Sequence, residues 1–164
     1  MPVNLTKMEI YEILEIANKK RYKKNRVEAL QEYNCLALRD VLKFGFDPQI
    51  KSALPDGLLE EGKHYMPGSA ESPAVSLHKA SKRFVRFVET GTPRNAIQQA
   101  KIEKMFLEML EGLSPSDALL VQYMKDKRID ELFENIDAET VDKAFPGLLS
   151  SVEEKEVVDN TEDS

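Results

Sequence analysis

Residues 102–128 read IEKMFLEMLEGLSPSDALLVQYMKDKR, and their punctuation decides the fold. Ile102, Met105, Phe106, Met109 and Leu110 recur at the three- and four-residue spacing of one helical face, and Gly112 ends that helix. Ser114-Pro115 opens the next. A serine hydroxyl accepts an orphan N–H of the first turn, and proline at the first helical position has no N–H to leave unpaired. Asp117 then faces the positive end of the helix dipole, and Lys125, Lys127 and Arg128 sit at its negative end. Leu119, Leu120, Val121 and Met124 supply the lining. The stretch predicts two helices joined by a tight turn.

The same grammar extends in both directions. Upstream, Thr92-Pro93 opens the first helix of the pair, with Ile97 on its apolar face. Ser72-Pro73 opens another that runs to Glu89, with Leu77, Ala80, Phe84, Phe87 and Val88 inward and Gly91 at its end. Near the N-terminus, Thr6 and Glu9 have the spacing of a capping box before Ile10, Ile13, Leu14 and Ala17. Asn25 and Glu28 repeat that spacing before Val27, Leu30 and Tyr33. Asn34 is placed to cap a third helix with Leu38, Val41 and Leu42 inward, closed by a left-handed Gly45. Asp47-Pro48 starts a turn or short helix, and Leu54-Pro55-Asp56-Gly57 is a turn.

Residues 56–71 carry Gly57, Gly62, Pro67 and Gly68 without periodicity. A loop this long in a compact domain is functional or mobile, so it is expected to be cut early by protease. If it is packed instead, Tyr65 and Met66 are its anchors. Downstream, residues 129–136 fit a short helix or a connector. Asp137 caps a last helix through Val141 and Ala144, stopped by Pro146. Phe145 is expected to be buried, with Leu148 and Leu149 folding back onto the core; exposed, the three become candidates for contact with another protein. The fold class is therefore all-α: one irregular or orthogonal helical domain of about seven helices over residues 1–150.

Apolar residues make up 41% of the 164 positions and charged residues 32%, enough for a core without metal or disulfide support. The net charge of −6 is unevenly spread. Residues 151–164, SVEEKEVVDNTEDS, hold six acids and one base, so the rest of the chain is near neutral. With three valines as its apolar content, this tail is expected to be disordered, either as a solubilising arm or folded onto a basic patch of its own chain.

Two basic clusters are candidates for such a patch and for polyanion binding. One is the run Lys19, Lys20, Arg21, Lys23, Lys24 and Arg26 around Tyr22; the other is Lys79, Lys82, Arg83 and Arg86 beside Phe84 and Phe87. Bases in such runs track phosphates, and an aromatic ring among them stacks on a nucleobase. A solvated helix end explains the first run equally well.

Catalytic patterns do not emerge. No glycine-rich phosphate loop, HExxH pair or CxxC pair is present, and no serine has the surroundings of a nucleophile elbow. His64 and His78 have no metal-ligand spacing and read as solvent-facing or locally bonded imidazoles. The lone Cys35 reads as a small core residue. Asp126, Asp130 and Glu134 would share a face only if the helix continued past Lys125. No cofactor or metal is expected. No run approaches 18 apolar residues, and the first residues lack the basic segment and apolar run of a signal peptide, so no membrane contact is expected.

Four segments in order carry a resemblance: MEIYEILEIANKKRYKKNRVEAL (8–30), LALRDVLKFGFDPQIKSALPDG (36–57), residues 102–127, and NIDAETVDKAFPGLL (135–149). Their order and spacing resemble a small protein family of unknown function found in contractile-tailed bacteriophages. The resemblance implies a viral protein made in a bacterial host cytoplasm, and it implies no activity, cofactor or catalytic residue. The expected function is that of a non-enzymatic interaction protein presenting a helical surface to a phage or host protein. The alternative is a nucleic-acid-binding accessory factor for phage replication or transcription.

Overall fold

The computed structural model describes residues 8–149. The expected Thr6 cap and the acidic tail 151–164 lie outside the described residues. The described chain is helical: α1 (Ile10–Asn18), α2 (Lys23–Glu32), α3 (Leu36–Phe46), α4 (Leu77–Ala80), a 3-10 helix (Ser81–Phe87), α5 (Ala96–Gly112), α6 (Pro115–Lys125), α7 (Ile129–Leu132) and α8 (Ala138–Ala144). Among the described residues there is no strand, only the isolated bridges Ser52–Val88 and Glu61–Tyr65. None of these helices is long and apolar enough to cross a membrane.

α6 is the centre. It packs on α1, α3, α5 and α7, and Ala118, Leu120, Val121 and Gln122 have no solvent exposure. A helix enclosed on so many sides is apolar nearly all round. The expected cap is present, with the Ser114 hydroxyl accepting from the Asp117 N–H at 3.4 Å and Pro115 in the first turn. α1 lays Ile10, Ile13, Leu14 and Ala17 on the core, all fully buried as their spacing requires. α3 does the same with Leu38, Val41 and Leu42. α8 begins at Asp137, whose carboxylate accepts from the Thr140 N–H at 2.8 Å.

Several boundaries differ from expectation. α1 is capped by Glu9, whose N–H donates to Glu12 at 3.3 Å. α2 begins at Lys23 after Tyr22, so Asn25 lies inside the first turn and does not cap it. Cys35, half-buried, takes the cap position of α3, and Asn34 accepts from Arg39 Nε at 2.9 Å. Gly45 does not close α3; it lies within it, and a Cβ there would stand 2.2 Å from Ile129 Cδ1. The glycine permits α3 and the start of α7 to touch.

Thr92-Pro93 opens nothing. α5 starts after Asn95, whose carboxamide accepts from the Gln98 N–H at 2.8 Å while Gln98 accepts from the Asn95 N–H at 3.0 Å. Ile97, assigned to the apolar face, is 81% exposed. The segment expected as one helix from Ser72 to Glu89 is the single turn α4 followed by the 3-10 helix. Its buried residues explain the change. Ser81, Phe84 and Phe87 are buried and three apart, a period that eclipses at 3.0 residues per turn and drifts at 3.6. Finally, α6 ends at Lys125 with Asp126 as its cap, and Lys127 adopts a positive φ of 59°, so Asp126, Asp130 and Glu134 never share a helix.

Candidate interaction surface

The segment between α3 and α4 is not a free loop. Tyr65 is buried, and its hydroxyl accepts from Gln122 Nε2 at 2.9 Å. The oxygen of the same carboxamide accepts from the Leu59 N–H. Met66, the other expected anchor, is 65% exposed. Lys125, buried, donates to the carbonyls of Pro55 (2.8 Å) and Gly57 (3.2 Å) and pairs with Asp126, whose other oxygen accepts from the Gly57 N–H at 3.1 Å. His64 Nδ1 accepts from the Glu60 N–H at 2.9 Å, the local bonding expected of it. His78 Nε2 lies 2.8 Å from the Met8 carbonyl.

Lys127 reaches the end of α3, to the carbonyls of Phe44 and Asp47, the latter at 2.9 Å. Burial lowers its pKa to about 8. The sequence reading placed Lys125 and Lys127 as complements to their own helix dipole; they serve carbonyls of other segments. The one signal for Gln122 was a polar residue four positions after Ala118, on a face otherwise apolar.

Asp117 is likewise more than a dipole complement. It is buried, and its carboxylate accepts from the Tyr11 N–H at 3.0 Å in the first turn of α1. It therefore joins the N-terminal ends of α1 and α6. Burial, together with the nearby Glu9 and Glu12, raises its pKa to about 7.

The two basic clusters sit on different elements. In the first, Lys23 pairs with Glu139 of α8 at 3.0 Å, and Arg26 donates to the carbonyls of Lys20 (2.9 Å) and Arg21 (3.1 Å). These two residues brace the turn between α1 and α2. Lys19, Lys20, Arg21 and Lys24 are exposed, and Tyr22 is 60% exposed with the Arg21 guanidinium 5.4 Å from its ring centre. α2 packs on α1 and α8, whereas the 3-10 helix packs on α3, α4 and α5.

In the second cluster, Lys79 lies in α4 and the other three bases lie on the 3-10 helix. The three-residue period that buries Ser81, Phe84 and Phe87 sorts the exposed residues into rows. Lys79, Lys82 and Val85 form one row, and Arg83 and Arg86 the other, all of them exposed. Val85 is 67% exposed. Among the described residues, none of the four bases makes an ion pair.

The candidate contact Phe145, Leu148 and Leu149 divides. Leu149 is fully buried, whereas Phe145 and Leu148 are half-buried against the core. Among the described residues no group of three or more His, Cys, Asp or Glu is placed to hold a metal ion.

No curated protein and no solved structure is significantly similar to this chain. Residues 13–131 match the DUF6433 family, a family of unknown function. The match spans α1 to α7, the part of the chain that holds α6, both basic clusters and the docked loop; the chain belongs to the DUF6433 family.

Proposed function

We propose that the chain is a non-enzymatic interaction protein of a bacteriophage, acting in the host cytoplasm by presenting the exposed face of its 3-10 helix to an acidic surface of a phage or host protein. One observation carries this reading: four cations without ion pairs among the described residues, Lys79 in α4 and Lys82, Arg83 and Arg86 in the 3-10 helix, form two rows with the exposed Val85, beside a third row that is locked into the core. An apolar residue ringed by charge is the layout of a protein interface, where the apolar centre is desolvated and the rim stays polar. The phage setting rests on the resemblance of four ordered segments. The test is a nuclease-treated pull-down from infected cells with the tagged chain and a Lys82→Glu, Arg83→Glu, Val85→Asp variant. A protein held by the first and lost by the second supports the reading. Equal recovery on both overturns it.

A second reading has its own observation. Exposed Tyr22 among Lys19, Lys20, Arg21 and Lys24 is a stacking ring inside a cationic patch, the arrangement that binds single-stranded nucleic acid. Its test is a gel shift at several salt concentrations. Replacing Lys20, Arg21 and Lys24 with Ser should flatten the slope of log affinity against log salt by roughly two to three. Lys23 and Arg26 are unsuited to that test because they brace the turn.

A further inference from the structure

We propose that the acidic segment 151–164 docks on the 3-10 face of its own chain and competes there with the acidic partner; this rests on the reading of that face as a surface for acidic groups. Three observations select this occupant. The first is charge: the segment carries six acids and one base, and the face carries Lys79, Lys82, Arg83 and Arg86 without ion pairs among the described residues.

The second is where the described chain ends. Leu149 is buried, and the Leu148 carbonyl accepts from Lys43 Nζ of α3 at 2.8 Å. The residue after Lys43 is Phe44, whose ring meets that of Phe84 in the 3-10 helix edge-on at 5.4 Å. The segment thus follows residues held at α3, the helix on which the 3-10 helix packs. Fifteen residues, 150–164, follow Leu149 and reach about 50 Å when extended.

The third is direction, which disfavours the other basic run. Glu139 at the start of α8 meets Lys23 at the start of α2, and the Ala144 carbonyl at the end of α8 accepts from Gln31 near the end of α2 at 3.1 Å. α8 therefore runs alongside α2 in the same sense, away from Lys19–Lys24. The chain leaves toward α3.

Tethering gives the segment an effective concentration in the millimolar range, so even weak ionic contacts compete with a partner in solution. The test uses the full chain. Zero-length amine–carboxyl cross-linking at low salt should join Lys79 and Lys82 to carboxylates of Glu153–Asp163, and high salt should abolish it. Cross-links to Lys19, Lys20 or Lys24 instead, or none to the segment, overturn the docking. Separately, fluorescent poly-L-glutamate is titrated onto the full chain and onto a variant with Glu153, Glu154, Glu156 and Glu162→Gln and Asp159 and Asp163→Asn. The neutralised variant should bind about 3–10-fold more tightly. Equal affinity overturns the competition. If Lys82→Ser, Arg83→Ser and Arg86→Ser in the neutralised chain leave poly-L-glutamate affinity unchanged, the reading of the face itself fails, and the cross-links judge the docking apart from it.

Discussion

Between Asn95 and Lys125 each helix start is set by a side chain three residues from the backbone group it satisfies: Asn95 for the Gln98 N–H, Ser114 for the Asp117 N–H. Between Asp47 and Ser76 the chain is held by residues far away in sequence. The Leu59 N–H and the Tyr65 hydroxyl meet Gln122, 63 and 57 positions on, and the Pro55 carbonyl meets Lys125, 70 positions on. Both regions give partners to backbone groups that regular helix bonding leaves open. The difference is in who supplies the partner. A local partner leaves a pattern in the sequence. A distant one leaves a glutamine or lysine that looks like any surface residue.

The largest expected effect tests the mixed case, the 3-10 helix. Phe84 is buried against Phe44, so Phe84→Ala should lose about 3–5 kcal/mol in urea unfolding. Ile97→Ala, which a regular apolar face would make comparable, should change stability by less than about 0.5 kcal/mol. Similar losses at the two positions would return Ile97 to the buried face of α5 that the sequence alone suggests.

Gln122→Leu comes next. It removes partners from the Leu59 N–H and the Tyr65 hydroxyl and should cost about 2–4 kcal/mol. In the native chain the docked stretch around Leu59 and Tyr65 should resist limited proteolysis, against the expectation from its composition. In the variant it should become an early cleavage site. A native chain cut first at Tyr65 would separate the loop from α6.

Asp117 offers a smaller effect with a pH signature. Its pKa rises from 3.8 unfolded to about 7 folded, so between those values the folded state holds the extra proton. Stability contributed by this group is therefore complete below about pH 4 and lost as pH rises toward 7. Asp117→Asn keeps an acceptor for the Tyr11 N–H without the buried charge. It should be more stable than the native chain by about 1–3 kcal/mol at pH 8, the gap closing toward pH 4. A gap that is the same at both pH values would mean that the carboxylate is not desolvated.

The smallest effect concerns a cap. Asn95→Ala should cost about 1 kcal/mol and Thr92→Ala about zero, measured by thermal unfolding. The reverse order would move the start of α5 back to the Thr-Pro pair.

Legibility follows the same division. The core faces of α1, α3 and α6 and the caps at Ser114 and Asp137 were readable because helical spacing and capping chemistry act within a turn or two. Asn25, Asn34 and Thr92 matched the same rules and did not cap. Each offers a cap that a neighbouring start could replace, and the choice was made by which register buried Leu30, Leu38 and Phe106. Gly45 looked like a helix stop because the sequence does not show Ile129 beside it. Of the candidate surface, the basic residues were visible, but their division into braces and unpaired cations was not. Lys23 and Arg26 are committed to Glu139 and to backbone carbonyls, and no local rule distinguishes them from Lys20 or Lys24.

By itself the sequence determined that the chain is helical, where its strongest caps lie, that its net negative charge gathers at one end and that two dense clusters of bases stand apart from it. These are consequences of short-range geometry and of composition. Only the tertiary structure decided that α6 is enclosed, that residues 55–65 are docked on it through Gln122 and Lys125, and that a three-residue period turns four bases outward in two rows. Those outcomes depend on which groups meet far apart along the chain, from Phe87 with Phe106 to Pro55 with Lys125, and burial then requires them to be paired or packed.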